Sequence, residues 1–222
     1  MKKYELTSET KVIDGVELHR IKALKSFGNI KEGELGGWIE SKKNLSQDGG
    51  SWVYDNATVR GNAKVCDNAM IFRNATISEN AVVGGNAIVC GNATVKENVR
   101  VCGYAILCEN ATVCENAMVF GYAMVCDNAV VGGDATVGRN AWIGGNAKVR
   151  GEEDYIVFKN WWSSGRYFTW TRSNNKWKVG CFYGSGEELI KKAYKDSEKS
   201  GREYERIVNY VESILQEENN NK

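Results

Sequence analysis

From Asn56 to Gly151 the chain runs through 16 consecutive six-residue words without an insertion or a deletion. Asn fills the first column except at Tyr104, Tyr122 and Asp134, Ala fills the second except at Val99, and the fourth is always Val, Ile or Leu. Alternation of Ala, any residue, Val, any residue is the period-two pattern of a short strand with one buried face, and the Gly-Asn, Asp-Asn or Glu-Asn pair that follows is a turn. A strand this short buries nothing alone. The words must therefore stack on one another, so that Ala57, Val59 and their equivalents line one continuous narrow core.

The word V-x-G-N-A-x resembles the hexapeptide repeat of left-handed parallel β-helices, in which three hexads make one triangular coil. The handedness follows from the resemblance; general crossover rules favour the opposite hand. The fold class expected is mainly β: a left-handed parallel β-helix with an N-terminal β-hairpin cap and a small C-terminal α+β module. The hexads then make a little over five coils, rising roughly 25 Å at about 4.8 Å per stacked strand. Corner asparagines are expected to form ladders and to adopt the left-handed conformation. The organisation expected is a hairpin and capping coil over 1–50, the β-helix over 51–151 and the C-terminal module over 152–222. In the first part, an Asp14-Gly15 turn marks a hairpin, and Ile39 and Leu45 fall in the core column of a loosely repeating coil.

On a period of three hexads the outward positions sort into three faces. One carries Thr58, Thr76, Thr94 and Thr112 beside Arg60, Ser78 and Lys96, and reads as solvated. A second is mixed: Lys64, Val82, Arg100, Met118 and Thr136 beside Cys66, Gly84, Cys102, Phe120 and Gly138. The third has no charge: Met70, Ile88, Ile106, Met124 and Trp142 beside Phe72, Cys90, Cys108, Cys126 and Gly144. Tyr104 and Tyr122 stack on the corner between the mixed and apolar faces. An outward apolar strip of this kind marks a contact surface. Its oligomer-interface candidates are Met70, Phe72, Ile88, Tyr104, Ile106, Phe120, Tyr122, Met124 and Trp142. The cover is either another copy or the chain's own C-terminal segment, and the resemblance, since such β-helices commonly form trimers, implies a homotrimer.

After Gly151 the repeat stops. Residues 154–184 read as three antiparallel strands with turns at Ser163–Gly165 and Asn174-Asn175, and Ser185-Gly-Glu-Glu188 is a capping box that opens a helix to about Lys199. A second helix follows Gly201, with Tyr204, Ile207, Val208, Val211, Ile214 and Leu215 on one stripe. A module this small needs its aromatics for a core. Alternation nevertheless puts Arg166, Phe168 and Trp170 on one side of a strand and Tyr167, Thr169 and Thr171 on the other, leaving open which side is exposed. With Arg172, Lys176 and Lys178, the residues Arg166, Phe168 and Trp170 form the candidate ligand site: rings to stack on a base, cations to hold its phosphate.

Charge excludes a global nucleic-acid or membrane attraction, since 29 Lys plus Arg face 28 Asp plus Glu. No duplex nucleic acid and no membrane partner are expected; MKKYELTSET has no apolar run of a signal peptide, so a cytoplasmic protein is expected. Seven cysteines without a C-x-x-C pair read as free thiols. The stretches ELGGWIES, NLSQ and WVYDNA, the Asn-Ala hexads and the GCFYG turn resemble hexapeptide-repeat proteins of phages and prophages, a group without a settled activity, over about residues 26–215. That resemblance implies a phage-borne protein in a bacterial host cell and supplies no catalytic residue. Related β-helices are often acyltransferases with a histidine base, yet the one histidine here, His19, lies outside the hexads. No catalytic residue, metal ligand or cofactor is assigned. The reading is a non-enzymatic homotrimeric scaffold that binds a small anionic, nucleotide-like ligand or a host protein, one form being sequestration of a host antiviral signal. Its alternatives are an acyltransferase with an unusual base and a polymer-forming or virion-associated protein.

Overall fold

A computed structural model of the chain describes residues 2–220. The hexads wind into a β-helix of very short strands, each paired in parallel and in register with the equivalent strand of the next coil, as Ile88 with Ile106 and Thr94 with Thr112. Three sheets result: a six-stranded one, a five-stranded one, and a third in which the coil strands are joined by the N-terminal hairpin to reach nine. Each coil donates its N–H groups to carbonyls of the following coil, Thr58 to Ala75 at 2.9 Å and Met70 to Ala87 at 2.9 Å. Inside, the Ala and Val columns are wholly buried, from Ala57 and Val59 through Ala147 and Val149.

The corners correct one expectation. The corner asparagines do form ladders, Asn62 to Asn80 at 3.2 Å and Asn80 to Asn98 at 3.2 Å, but they do not take the left-handed conformation. The residue ahead of each does, whether Gly61, Asp67, Arg73, Glu79, Glu97 or Glu115. A carboxylate there accepts the backbone N–H of the same corner one coil on: Asp67 from Gly85 at 2.7 Å, Asp127 from Gly145 at 2.6 Å, Glu97 from Glu115, and Glu115 from Gly133. These acids offset the local backbone strain with charge-assisted hydrogen bonds.

A stack of coils has two open ends. At the N-terminal end β1 (Tyr4–Ile13) and β2 (Val16–Ala23) form a hairpin through Asp14 and Gly15, both at positive φ. β2 pairs antiparallel with β3 (Leu35–Ile39), and β3 joins the coil strand Thr58–Val59 in parallel. Gly36 and Gly37 permit that close approach: a Cβ on Gly37 would lie 2.7 Å from the Ala57 carbonyl oxygen. Tyr4, fully buried, donates its hydroxyl to the Leu45 carbonyl at 2.7 Å. Lys3 is buried beside it and donates its Nζ to the Ser51 carbonyl at 2.9 Å.

At the other end sits a four-stranded antiparallel sheet, Tyr155–Lys159, Tyr167–Thr171, Lys176–Val179 and Phe182–Gly184, where sequence reading had three strands. Its side chains finish the hydrogen bonds that the last coil cannot make with a further one. Thr169 Oγ1 accepts the Trp142 N–H at 2.9 Å, Ser173 Oγ accepts the Lys148 N–H at 2.7 Å, and the Tyr155 hydroxyl donates to the Thr136 carbonyl at 2.8 Å. The opposite face packs on α1 (Gly186–Asp196) and α2 (Glu198–Asn220) around Phe168, Trp170, Trp177, Leu189, Tyr204 and Val208. The capping box at Ser185 is formed, whereas the helix break falls at Ser197, whose hydroxyl caps the Ser200 N–H at 3.1 Å. Gly201 lies inside α2, and the Tyr194 ring packs where a Cβ would be.

Two outcomes follow from the caps. Replacing Tyr155 by Phe, or Thr169 by Val, strands one partly buried backbone group, so each should lower stability by about 1–2 kcal/mol in urea unfolding. Burial, only partly offset by Asp48, lowers the Lys3 pKa from 10.5 to about 8. Between about 8 and 10.5 the unfolded chain then holds a proton that the folded chain has lost, so stability gains with rising pH across that window. Unfolding midpoints from pH 7.5 to 9.5 should climb in the wild type, and the climb should vanish in Lys3→Met; a parallel climb in both would remove Lys3 as its source.

Candidate binding cleft

Two hexads open with Tyr instead of Asn, and both stand on the corner ahead of the apolar sheet. Their rings stack at 5.1 Å with 6° between planes and remain 53% and 65% exposed at Tyr104 and Tyr122. An Asn in this column can hand a hydrogen bond to the next, as Asn68 does to Asn86 at 3.3 Å. The tyrosines give up that ladder for an exposed aromatic shelf. It leads to Met124 and Trp142, where the C-terminal sheet closes over the last rung.

Strand alternation decides what the C-terminal module contributes. Phe168 and Trp170 point to the helices and are each 1% exposed, so they offer no ring to a ligand. Phe168 packs edge-on to Tyr204 at 5.2 Å, and Trp170 donates its Nε1 to Asn175 at 2.8 Å. Arg172 is also spent internally: it pairs with Glu218, donates to the Glu153 carbonyl at 2.9 Å and lies over the Trp170 ring. Lys176 sits half-buried on the strand after the Asn174 turn and does not line the cleft. Lys178 points to the coil and covers the Trp142 ring at 4.1 Å. Of the predicted set, Arg166 and Lys178 are thus brought to the coil junction. Tyr167, whose significance sequence reading missed, joins them, 42% exposed.

Together Tyr122, Met124, Asn140, Trp142, Arg166 and Tyr167 line a cleft of about 260 Å³ between the apolar face and the C-terminal sheet. Arg166 has no carboxylate partner among the described residues, and Lys159 lies 5.7 Å from the Tyr167 ring. No acidic side chain lines the cleft. Rings, two neighbouring ammonium groups and one unpaired guanidinium in a hollow without acids suit a planar anion.

The rest of the apolar strip divides. Met70, Ile88 and Ile106 stay half-exposed in a row, and Phe72 stacks on Tyr54 at 4.3 Å. Phe120 does not belong with them. It lies toward the mixed sheet, its ring over Gly138, and lines a separate hollow with Tyr155 and Val157. The module therefore covers the Trp142 end of the strip and leaves the middle open.

Cys108 and Cys126 occupy adjacent rungs; the hydrogen bond from Cys108, with another from Trp142 Nε1 at 3.0 Å, holds the Cys126 thiol below its usual pKa, while Cys108 is pushed up. Among the described residues no group of three or more His, Cys, Asp or Glu converges as a metal site would. His19 lies on β2 opposite Ile39, in the cap at the other end of the β-helix. No described helix is long and apolar enough to cross a membrane.

Repeat and coil together make this chain a hexapeptide-repeat β-helix. No known family pattern matches it. A stretch of 80 residues is 35% identical to a protein of Escherichia coli strain K12 described as an uncharacterized acetyltransferase, YdcK. The match takes in 32% of this chain and 24% of that protein, so the chain spans about a quarter of the relative's length.

Proposed function

We propose that the protein is a non-enzymatic binding scaffold that takes a small planar anion, nucleotide-like in character, in the cleft between its apolar face and its C-terminal sheet. The observation that carries this is the unpaired Arg166 set among Tyr122, Trp142 and Tyr167 with no acid in the lining. A cleft formed between two packed parts of one chain binds with little ordering cost. Copies associate through the open middle of the apolar strip, Met70, Ile88 and Ile106, as a homotrimer. In a phage-borne protein within a bacterial cytoplasm, such a trimer would sequester a nucleotide signal of host defence.

Acyl transfer is the second reading, favoured by the description of the Escherichia coli relative. It needs a base near the bound thioester, and the hexads contain no histidine. Acetyl-CoA turnover above background, lost on mutating one polar cleft residue, would replace the binding reading with this one.

Four results are expected. Adenosine 5′-monophosphate quenches the protein's tryptophan fluorescence, and Tyr122→Ala weakens its binding roughly tenfold to a hundredfold, the equivalent of about 1–3 kcal/mol per stacked base. Native mass spectrometry gives a discrete trimer, and Ile106→Glu turns it into folded monomer by placing a charge in the contact. A wild-type monomer, or species that grow with concentration, would defeat the trimer and favour a different partner or a polymer.

A further inference from the structure

Behind Arg166 the hairpin formed by Tyr155–Lys159 and Tyr167–Thr171 encloses a second hollow of about 110 Å³, whose walls include Asn160, Ser164, Arg166, Tyr167, Gly180 and Tyr204. Arg166 and Tyr167 line both this hollow and the aromatic cleft. At under half the cleft's 260 Å³ it suits a small oxyanion better than a ring.

Its polar groups are held by an internal network, and one donor in it is left over. The loop is closed by Asn160 N–H to the Arg166 carbonyl and by Gly165 N–H to the Asn160 carbonyl, both at 2.8 Å. Asn160 is 5% exposed; its Oδ1 accepts from the Ser163 N–H at 2.9 Å and the Ser163 hydroxyl at 3.1 Å, which sets the amide's orientation. Its Nδ2 therefore donates to the Tyr204 hydroxyl, at 3.0 Å. Tyr204 serves there as acceptor, so its own hydroxyl hydrogen remains to be given away, and no described residue takes it. Burial raises the pKa of Tyr204, which keeps that hydrogen in place. Beside it, Trp162 is 8% exposed, packs edge-on to Tyr204 at 4.9 Å and has an Nε1–H without a partner. A buried hydroxyl hydrogen left over in the wall of the hollow calls for an acceptor, and Trp162 packs against the ring that carries it. Arg166 adds a positive charge, and no carboxylate lines the hollow.

We infer that this hollow seats the anionic group, a phosphate in the first place, of a ligand whose ring lies on Tyr122 and Tyr167 in the neighbouring cleft, with Arg166 bridging the two. The inference rests on the cleft reading and narrows its ligand to a ring bearing a terminal phosphate. Calorimetry on the full chain with adenosine and with adenosine 5′-monophosphate separates the two ideas. In the wild type the monophosphate should bind at least tenfold tighter; Arg166→Ala and Tyr204→Phe should bring that ratio to near one, whereas Tyr122→Ala should weaken both probes alike. A ratio that persists in folded Tyr204→Phe, or equal binding of both probes to the wild type, overturns the phosphate seat and leaves the cleft standing if Tyr122→Ala still weakens both. Absence of binding by either probe overturns both readings. Because the Tyr204 hydroxyl is buried, a second readout uses unaltered protein labelled with ¹⁵N-tryptophan and titrated with inorganic phosphate. The Trp162 indole N–H resonance, assigned with Trp162→Phe, should shift while that of Trp52, buried in the first coil against the N-terminal cap, stays still; a static Trp162 signal counts against the seat.

Discussion

Everything in this molecule depends on a hydrogen bond that each coil hands to the next. A backbone N–H of one rung meets a carbonyl of the rung that follows, in every sheet and on every turn. The pairing works only if each coil has the same circumference, hence hexads without insertion. It also works only if the interior admits the same small side chains at each level, hence the Ala and Val columns. A corner must turn within one residue, and that residue takes positive φ; at Asp55, Asp67, Glu97, Glu115 and Asp127 a carboxylate bound to the next corner's amide helps hold it. Sequence monotony is thus the direct consequence of one repeated backbone contact.

The same contact makes the ends costly, because the last rung has donors and acceptors with nothing above them. The two ends are solved differently. At the start, the chain lays a hairpin along one sheet and buries Tyr4 and Lys3 against backbone carbonyls. At the finish, no backbone continues the ladder at Trp142 or Lys148, and the hydroxyls of Thr169 and Ser173 stand in for it. A sheet recruited to supply hydroxyls to a coil must turn its other face elsewhere. Two helices cover that face, which explains why so many large rings lie in so short a segment.

What sequence could show follows from these contacts. The β-helix, its three faces, the stacked tyrosine pair and the Ser185 capping box were legible, since each rests on a short-range period or a local signature. The site was not legible in the same way. Alternation along Tyr167–Thr171 separated two sides correctly, but which side meets ligand depends on which one the helices take, a tertiary choice that no local pattern contains. Phe168 and Trp170 went to the helices, and Tyr167 went to the cleft. Phe120 misled for a related reason. Its column borders the apolar corner when the hexads are counted in threes, yet glycine at position 138 lets its ring lie back over the next rung. Arg172 was equally unreadable, because its partners come from α2 and from the turn after the last coil.

Coil faces can vary independently because the ladder joins backbone to backbone. One column can therefore lose its asparagines to tyrosine at two levels while the backbone beneath remains in register, as Ile106 with Met124 shows. Those two substitutions fall one and two rungs below Asn140, just short of where the capping sheet closes over Trp142. The shelf they form points at the edge of the cap, where Arg166 and Tyr167 emerge from a hairpin tied shut by Asn160. A solenoid by itself offers flat faces and shallow grooves. It acquires a concave site where something unlike a coil ends it, so the requirement to terminate the ladder also creates the place where a ligand can be enclosed.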